Sequence, residues 1–480
     1  MNVSFIGHQT WLVESAGTNI LVDPLLKTTF GASKFSFGAI YPFREVDFLS
    51  LPKIDAIVLS HEHPDHFCID SLSMLDTKIT VYVGPLMVES VKFACLKLGF
   101  NVKVVYPKTT INIGNIEFTL YPAGKETPFW ENRVYQIYFK AKKNTSISFF
   151  LAVDAGMSTE FIKLIHEIEA ENPKLIALSN NSQITKIGRR AAFENAITPE
   201  TDNPTKKGFP GLQVYKSLVV NYLIELDRMK DIVICGGGFL KGARDLEEQP
   251  YSEQNIIAEN VCNSLTYGSL RFLKPGETLK IDSGGKITRG KRLNFIKLRN
   301  RAWIEKSLNI KYNSKLNNSL FFQYSDCDND HNLSTNNFVK INRLMQELLG
   351  CLQLSSEGWA IYNNCIERKE EPKVEIGLIS SKNKIDIVFE LNLNNGSVIA
   401  TSQFRNKSSY GLKIYTNDLL SVLSGEIEFW DLSGSSLASW YVGAPMESLV
   451  PFLYGFFGEC VRQDLALKMV ELKLRTKIKL

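Results

Sequence analysis

The chain has 480 residues, 44% hydrophobic and 22% charged, with 31 Gly and 17 Pro, an ordinary globular composition that excludes disorder, collagen and coiled coil and suits two or three domains. Fifty-five Lys and Arg against 51 Asp and Glu leave a net charge of +4, too small over this length to point to nucleic acid or an anionic membrane surface as the main partner. The longest apolar stretch, residues 449–458, is about half of the roughly 20 residues a membrane-crossing helix needs. No basic leader with an apolar core opens the chain, so the sequence predicts a cytoplasmic protein without a membrane span.

Short β-rich runs bounded by turn residues predict strands over 3–6, 11–14, 19–22, 56–59, 79–83, 102–105, 116–120, 134–139 and 146–153, with one helix over 85–98. Beyond Asp154 the pattern mixes a helix over 160–170, a buried strand over 175–179, a long helix near 212–229 and a strand over 232–235. This order predicts an α/β fold, two sheets with helices on their outer faces. Residues 286–306 carry eight basic side chains and one acidic one after a turn-rich segment. The expected division is therefore a first domain over 1–285, a basic linker over 286–310 and a C-terminal α+β domain over 311–480. In that last part the Asn- and Ser-rich tracts 313–318 and 326–337 read as loops, followed by strands over 385–391, 398–404 and 412–415. A helix over 418–423 follows, starting after Asn417 and ending at Gly425.

The eight cysteines are scattered without a C-x-x-C pair, which predicts free thiols and excludes a disulfide framework, a cysteine-rich zinc site and an iron–sulfur cluster. The chemistry concentrates in one place. A strand, AIVLS, runs directly into His61-Glu62-His63-Pro64-Asp65-His66, four candidate metal ligands within six residues and three of the six histidines of the chain. Side chains of an extended segment alternate, so His61 and His63 can meet at one ion while the following turn carries Asp65 and His66 toward a second.

This motif and its surroundings resemble the metallo-β-lactamase fold superfamily. Leu21-Val22-Asp23-Pro24 is similar to the acidic turn that supports the metal loop of that superfamily. Asp154, ending the apolar run FFLAVD, stands where the superfamily places the aspartate bridging two metals. The resemblance implies an αββα sandwich with the metals at one edge. Hydrolytic members bring further histidines, yet none occurs between residues 67 and 153, and the late strand end reads Ile232-Val-Ile-Cys235-Gly-Gly-Gly. The stretches 235–240, 250–255 and 272–279 resemble the corresponding part of CMP-N-acetylneuraminate hydroxylases, without the Rieske domain of those enzymes. Glu126, 61 residues after Asp65 and 28 before Asp154, resembles the glutamate ligand of diiron β-hydroxylases, with Glu131 as its nearest rival.

The resemblance implies two divalent ions, iron favoured and zinc or manganese open, the first held by His61, His63 and Glu126 and the second by Asp65, His66 and the bridging Asp154. A two-histidine, one-carboxylate set leaves positions open for dioxygen. Glu126 and His8 are candidate catalytic residues, His8 as a group beside the metals or a substrate contact, with a core histidine the other reading. Asp23 is expected to hold a ligand loop by hydrogen bonds. The implied function is a diiron, O2-dependent hydroxylase of a small molecule with an external electron donor. The alternatives are a dinuclear hydrolase of a lactone, ester or phosphoester and a degenerate, non-catalytic binding protein. The C-terminal domain loosely resembles sterol-carrier-like domains.

Overall fold

The computed structural model describes residues 1–31, 38–40, 42–124, 127, 132–168, 173–179, 196–197, 231–236, 239–240, 269–271, 273–307, 333–379, 385–403, 410–427, 437–442 and 462–477. They divide into two compact units, the second comprising 196–197 and 333–477.

In the first unit, apolar β-branched runs such as AIVL of Ala56–Leu59 and LIALS of Leu175–Ser179 are buried along their whole length, as strands covered on both faces must be. An eight-stranded sheet runs in the order Ile287–Arg289, Thr278–Ile281, Asn2–Gly7, Thr10–Ser15, Thr18–Val22, Ala56–Leu59, Thr80–Val83, Asn101–Val104. A seven-stranded sheet runs Thr110–Ile113, Ile116–Pro122, Tyr135–Ala141, Asn144–Leu151, Leu175–Ser179, Asp231–Cys235, Ser269–Arg271. Each begins as an antiparallel meander and continues with three parallel pairings.

The facing sides of the two sheets share one core, with Val3, Phe5, Trp11 and Val58 of the first against Phe118, Leu120, Phe149 and Leu151 of the second. Trp11 and Phe149 bring their ring centroids to 5.6 Å across it. The outer side of the second sheet is covered by the helix Thr159–Glu167. Its Phe161 stacks on Phe150 at 3.9 Å and meets Tyr121 and Tyr138 edge-on. The helix Glu89–Lys97 packs against the strand Asn101–Val104 of the first sheet and buries Val91, Ala94 and Cys95. The architecture is the α/β sandwich that the sequence predicts.

Several expectations need correction. The basic stretch read as a linker is part of the first unit: Ile287–Arg289 pairs with Thr278–Ile281, Ile296–Leu298 pairs with Arg44–Val46, and Arg301–Ser307 is helical. Its charges sit opposite acids on neighbouring strands, Arg289 and Arg292 near Glu277 and Arg299 on Glu45. Three helices of the second unit, Thr335–Gln353, Ser356–Glu367 and Gln463–Lys477, were not expected. The first starts inside the Asn-rich tract, capped by Ser334 on the Asn337 N–H, and buries Ile341, Met345, Leu348 and Leu352 at helical spacing. The helix Thr416–Leu423 contains Asn417 instead of following it, and Gly425 takes the left-handed conformation just beyond its end. The second unit is α+β, its sheet ordered Ala196–Ile197, Leu437–Val442, Tyr410–Tyr415, Lys373–Ile379, Ile385–Asn392, Ser397–Thr401. The expected helix near 212–229 and the apolar stretch 449–458 lie outside the described residues. Among the described residues no helix is long and apolar enough to cross a membrane.

Phe161 anchors its helix through three aromatic contacts, so Phe161→Ala is expected to lower stability by about 3–5 kcal/mol. The shift of the urea midpoint measures this; a loss below about 1 kcal/mol would mean that the helix is held by something else.

Candidate metal centre

The parallel strands of both sheets deliver their carboxyl ends to one place, the usual location of ligand sites in open α/β sheets. Asp23 follows Thr18–Val22, the histidine motif follows Ala56–Leu59, Asp154 follows Asn144–Leu151, and Ser179 and Cys235 end their strands. Three of the six non-glycine residues with positive φ among those described are His8 (53°), Asp23 (42°) and Val153 (52°), all in this cluster or next to it. Such backbone costs about 1–3 kcal/mol per residue and persists where surrounding structure enforces it.

Asp23 is fully buried and organises the histidines. Its Oδ1 accepts the Ser60 N–H at 2.8 Å, and its Oδ2 accepts the Ser60 hydroxyl at 2.6 Å and the His66 Nδ1–H at 2.8 Å. Ser60 has one hydroxyl proton, and Asp23 receives it. The Ser60 oxygen, 2.9 Å from His61 Nδ1, must therefore accept from that nitrogen. The proton of a neutral His61 is then on Nδ1 and the lone pair on Nε2. That Nε2 is buried and has no hydrogen-bond partner among the described residues. His61 also groups with His66 and Asp154, one ligand atom of each lying within 4.8 Å of the others.

An orphaned buried ring nitrogen in a cluster with a carboxylate and a second imidazole fits a metal cation. Burial lowers the His61 pKa well below its ordinary value, with His66, His63 and Arg133 adding repulsion, so the lone pair is not lost to a proton. His66 behaves oppositely. Burial disfavours its charge, but Asp154 and Asp65 outweigh burial and raise its pKa. The same pairing with His66 holds the buried Asp65 and Asp154 carboxyls below their ordinary values.

Asp154 turns its two oxygens to different tasks. Oδ1 accepts Gln9 Nε2 at 2.9 Å and the Ser179 hydroxyl at 2.7 Å, while Oδ2 faces His66 Nε2 at 3.1 Å. Cys235 donates to Gln9 Oε1 at 3.1 Å, and burial followed by the charge of Asp154 raises its pKa well above the ordinary thiol value. Cys235 is thus a neutral thiol bracing Gln9 in the metal-free protein.

The candidates of the histidine motif separate. His61, Asp65, His66 and Asp154 are buried together. His63 has its ring 4.4 Å from that of His61, but its Nε2 is 3.0 Å from Arg133 Nη2; arginine can only donate, so that nitrogen's lone pair is engaged. His8 pairs with Asp65, Nε2 to Oδ2 at 2.9 Å. Glu126 and Glu131 lie outside the described residues. The residues flanking Glu126 are fixed to Gly156, whose carbonyl accepts the Gly124 N–H at 2.8 Å and whose N–H donates to Thr127 Oγ1 at 2.9 Å. Gln9, Ser60, Arg133, Ser179 and Cys235 were not foreseen. Ser60 and Gln9 had a signal in their adjacency to His61 and His8, and Cys235 in its place at the late strand end.

Arg133 also pairs with Glu62, both nearly fully buried. Burial pushes the Glu62 carboxyl up, but Arg133 and then His63 outweigh it and hold it below its ordinary value of 4.5. The contribution of Glu62 to stability is thus complete above pH 4.5 and lost as the pH falls through the lowered value. Removing the guanidinium leaves burial unopposed. Arg133→Met is expected to cost about 3–5 kcal/mol at neutral pH, with the gap to wild type narrowing once acid protonates Glu62. Denaturant midpoints measured across pH test this; a gap independent of pH would contradict the pairing.

Residues 2–168 match the family model described as Beta-lactamase superfamily domain. Over 102 residues the chain is 32% identical to a putative Rieske 2Fe-2S iron-sulfur protein of Mycolicibacterium smegmatis, covering 21% of this chain and 19% of that one. The chain spans about a fifth of the length of the curated relatives it matches. It is also similar to the solved structure of an isothiocyanate hydrolase from Delia radicum gut bacteria (TM-score 0.39, 15% identity, 59% of this chain and 100% of that one). A further similarity is to CmlA, a diiron beta-hydroxylase from Streptomyces venezuelae (TM-score 0.38, 15% identity, 60% of this chain and 54% of that one). Residues 2–168 are thus similar to the beta-lactamase superfamily domain, the family that the histidine motif resembles.

Proposed function

We propose that the first unit is a metal-dependent enzyme acting on a small molecule through two metal ions, and that it works as an O2-dependent hydroxylase with iron and an external electron donor. The observation that carries this reading is the buried Nε2 of His61, without a hydrogen-bond partner among the described residues, on a side chain grouped with His66 and Asp154. The first ion would be held by His61, His63 and Glu126, and the second by Asp65 and His66, with Asp154 between them. His63 joins by exchanging its hydrogen bond from Arg133.

Iron is supported by the chemistry of the donors. Among the described residues the groups that could hold an ion consist of imidazoles and carboxylates. Such a set favours iron or manganese more than a thiolate-bearing one does. Glu126 is supported as a ligand by its neighbours Gly124 and Thr127, both bonded to Gly156 two residues beyond Asp154. When bound, two ions of this kind supply Lewis acidity and, as iron, open positions for dioxygen. The protein's own residues do the orienting. Ser60 and Asp23 fix the Nδ1–H bonds of His61 and His66 so that each presents Nε2, and Gln9 with Ser179 holds Asp154 so that Oδ2 faces inward.

Elemental analysis of protein expressed with iron and zinc both available, paired with optical spectra through anaerobic reduction and re-oxidation, tests the reading. About two irons per chain with bands that respond to oxygen are expected, and Glu126→Ala should lower the iron content while circular dichroism stays unchanged. Two zincs with a silent spectrum would replace hydroxylation by hydrolysis. Negligible metal would leave a binding protein.

A further inference from the structure

We propose that His8, which lies outside the histidine motif, is itself a metal ligand, and that the second ion of the two-metal reading is held by His8, Asp65 and His66 together. The ligand atoms of these three side chains all lie within 4.8 Å of one another, and all three residues are buried. The His8 ring meets that of His66 edge-on at 5.5 Å and lies nearly parallel to that of Phe30 at 6.4 Å. It therefore has an apolar wall on one side and the cluster on the other.

The backbone around His8 is built to aim it. His8 sits in the tight turn between Asn2–Gly7 and Thr10–Ser15, where the pairing register shifts between Phe5 and Gly7. Irregularities of this kind redirect a side chain. Its φ of 53° is a conformation a histidine adopts at a cost. Gly7 before it has a φ of 138°, and a Cβ there would come within 2.7 Å of Ile40.

The segment is tied at nearly every residue. The buried Arg44 donates to the Ile6 carbonyl at 2.7 Å, the Gly236 N–H donates to the His8 carbonyl at 3.0 Å, Gln9 donates to Asp154, and the Thr10 hydroxyl donates to the Asp23 carbonyl at 2.6 Å. A strained residue held by so many neighbours, with its ring nitrogen 2.9 Å from a candidate ligand carboxylate, is a preorganised donor.

This inference depends on the two-metal reading, and one experiment separates them. Co(II) is titrated into metal-free full-length wild type and His8→Gly, following bound metal and the visible absorption of the cobalt. Glycine accepts the positive φ without strain and leaves a space the size of an imidazole, and circular dichroism checks the fold. Wild type is expected to bind about two Co(II) per chain and the variant about one, with millimolar imidazole restoring the second ion and its bands. If both proteins bind two Co(II) with the same spectrum, His8 only orients Asp65 and the inference is overturned while the two-metal reading stands. If wild type itself binds fewer than two, both are overturned.

Discussion

The site depends on one buried carboxylate. Asp23 lies beneath the histidine motif with three donors on it, the Ser60 N–H, the Ser60 hydroxyl and His66 Nδ1. From these follow the tautomer of His61, the orientation of His66 and the direction in which both Nε2 atoms point. A carboxylate hidden from water at this depth is tolerable only when each lone pair it turns inward is met. Ser60 and His66 meet that condition, and the strand ends of the first sheet fix the Asp23 backbone: its N–H bonds to the Val58 carbonyl, and the Thr10 hydroxyl bonds to its carbonyl. Fold and site are thus one hydrogen-bonded system, in which Asp23 takes a left-handed backbone to reach its partners.

Asp154 plays the matching part from the second sheet. Gln9 and Ser179 hold one oxygen, Cys235 braces Gln9, and the other oxygen faces His66. The two sheets meet at the site through His66, with Asp23 on one ring nitrogen and Asp154 on the other. Without a cation, an imidazole so placed is driven to carry both protons; a cation at Nε2 would displace one of them. The cluster of acids is therefore balanced in the metal-free protein by a histidine that can give up its charge.

Much of this was legible in sequence, because the informative signals are local. The strands of the first unit are short runs such as Ala56–Leu59 and Leu175–Ser179 whose residues are all buried. The histidine motif is confined to a single loop, and Asp23 stands at the expected turn. What escaped comes from distance or from mixed composition. Gln9 reaches Asp154 across 145 positions and Cys235 across 226; no local pattern encodes those pairings. The strand Thr110–Ile113 alternates polar residues with two half-buried isoleucines, but over only four residues. The helix Thr335–Gln353 has a clear apolar stripe, but its Asn-rich first turn imitates a loop. The basic run after residue 285 reads as a linker until Glu277 and Glu45 are seen opposite it.

The central claim is that the buried cluster is a metal centre in which His61 and His66 both offer Nε2. Anomalous diffraction from crystals of metal-loaded protein, collected on either side of the iron and zinc absorption edges, tests it most directly. Two peaks are the predicted result, one beside His61 Nε2 and one beside His66 Nε2, with Asp154 between them. Loaded crystals in which those atoms surround ordinary solvent density, or in which no ion lies beside His61, would contradict it.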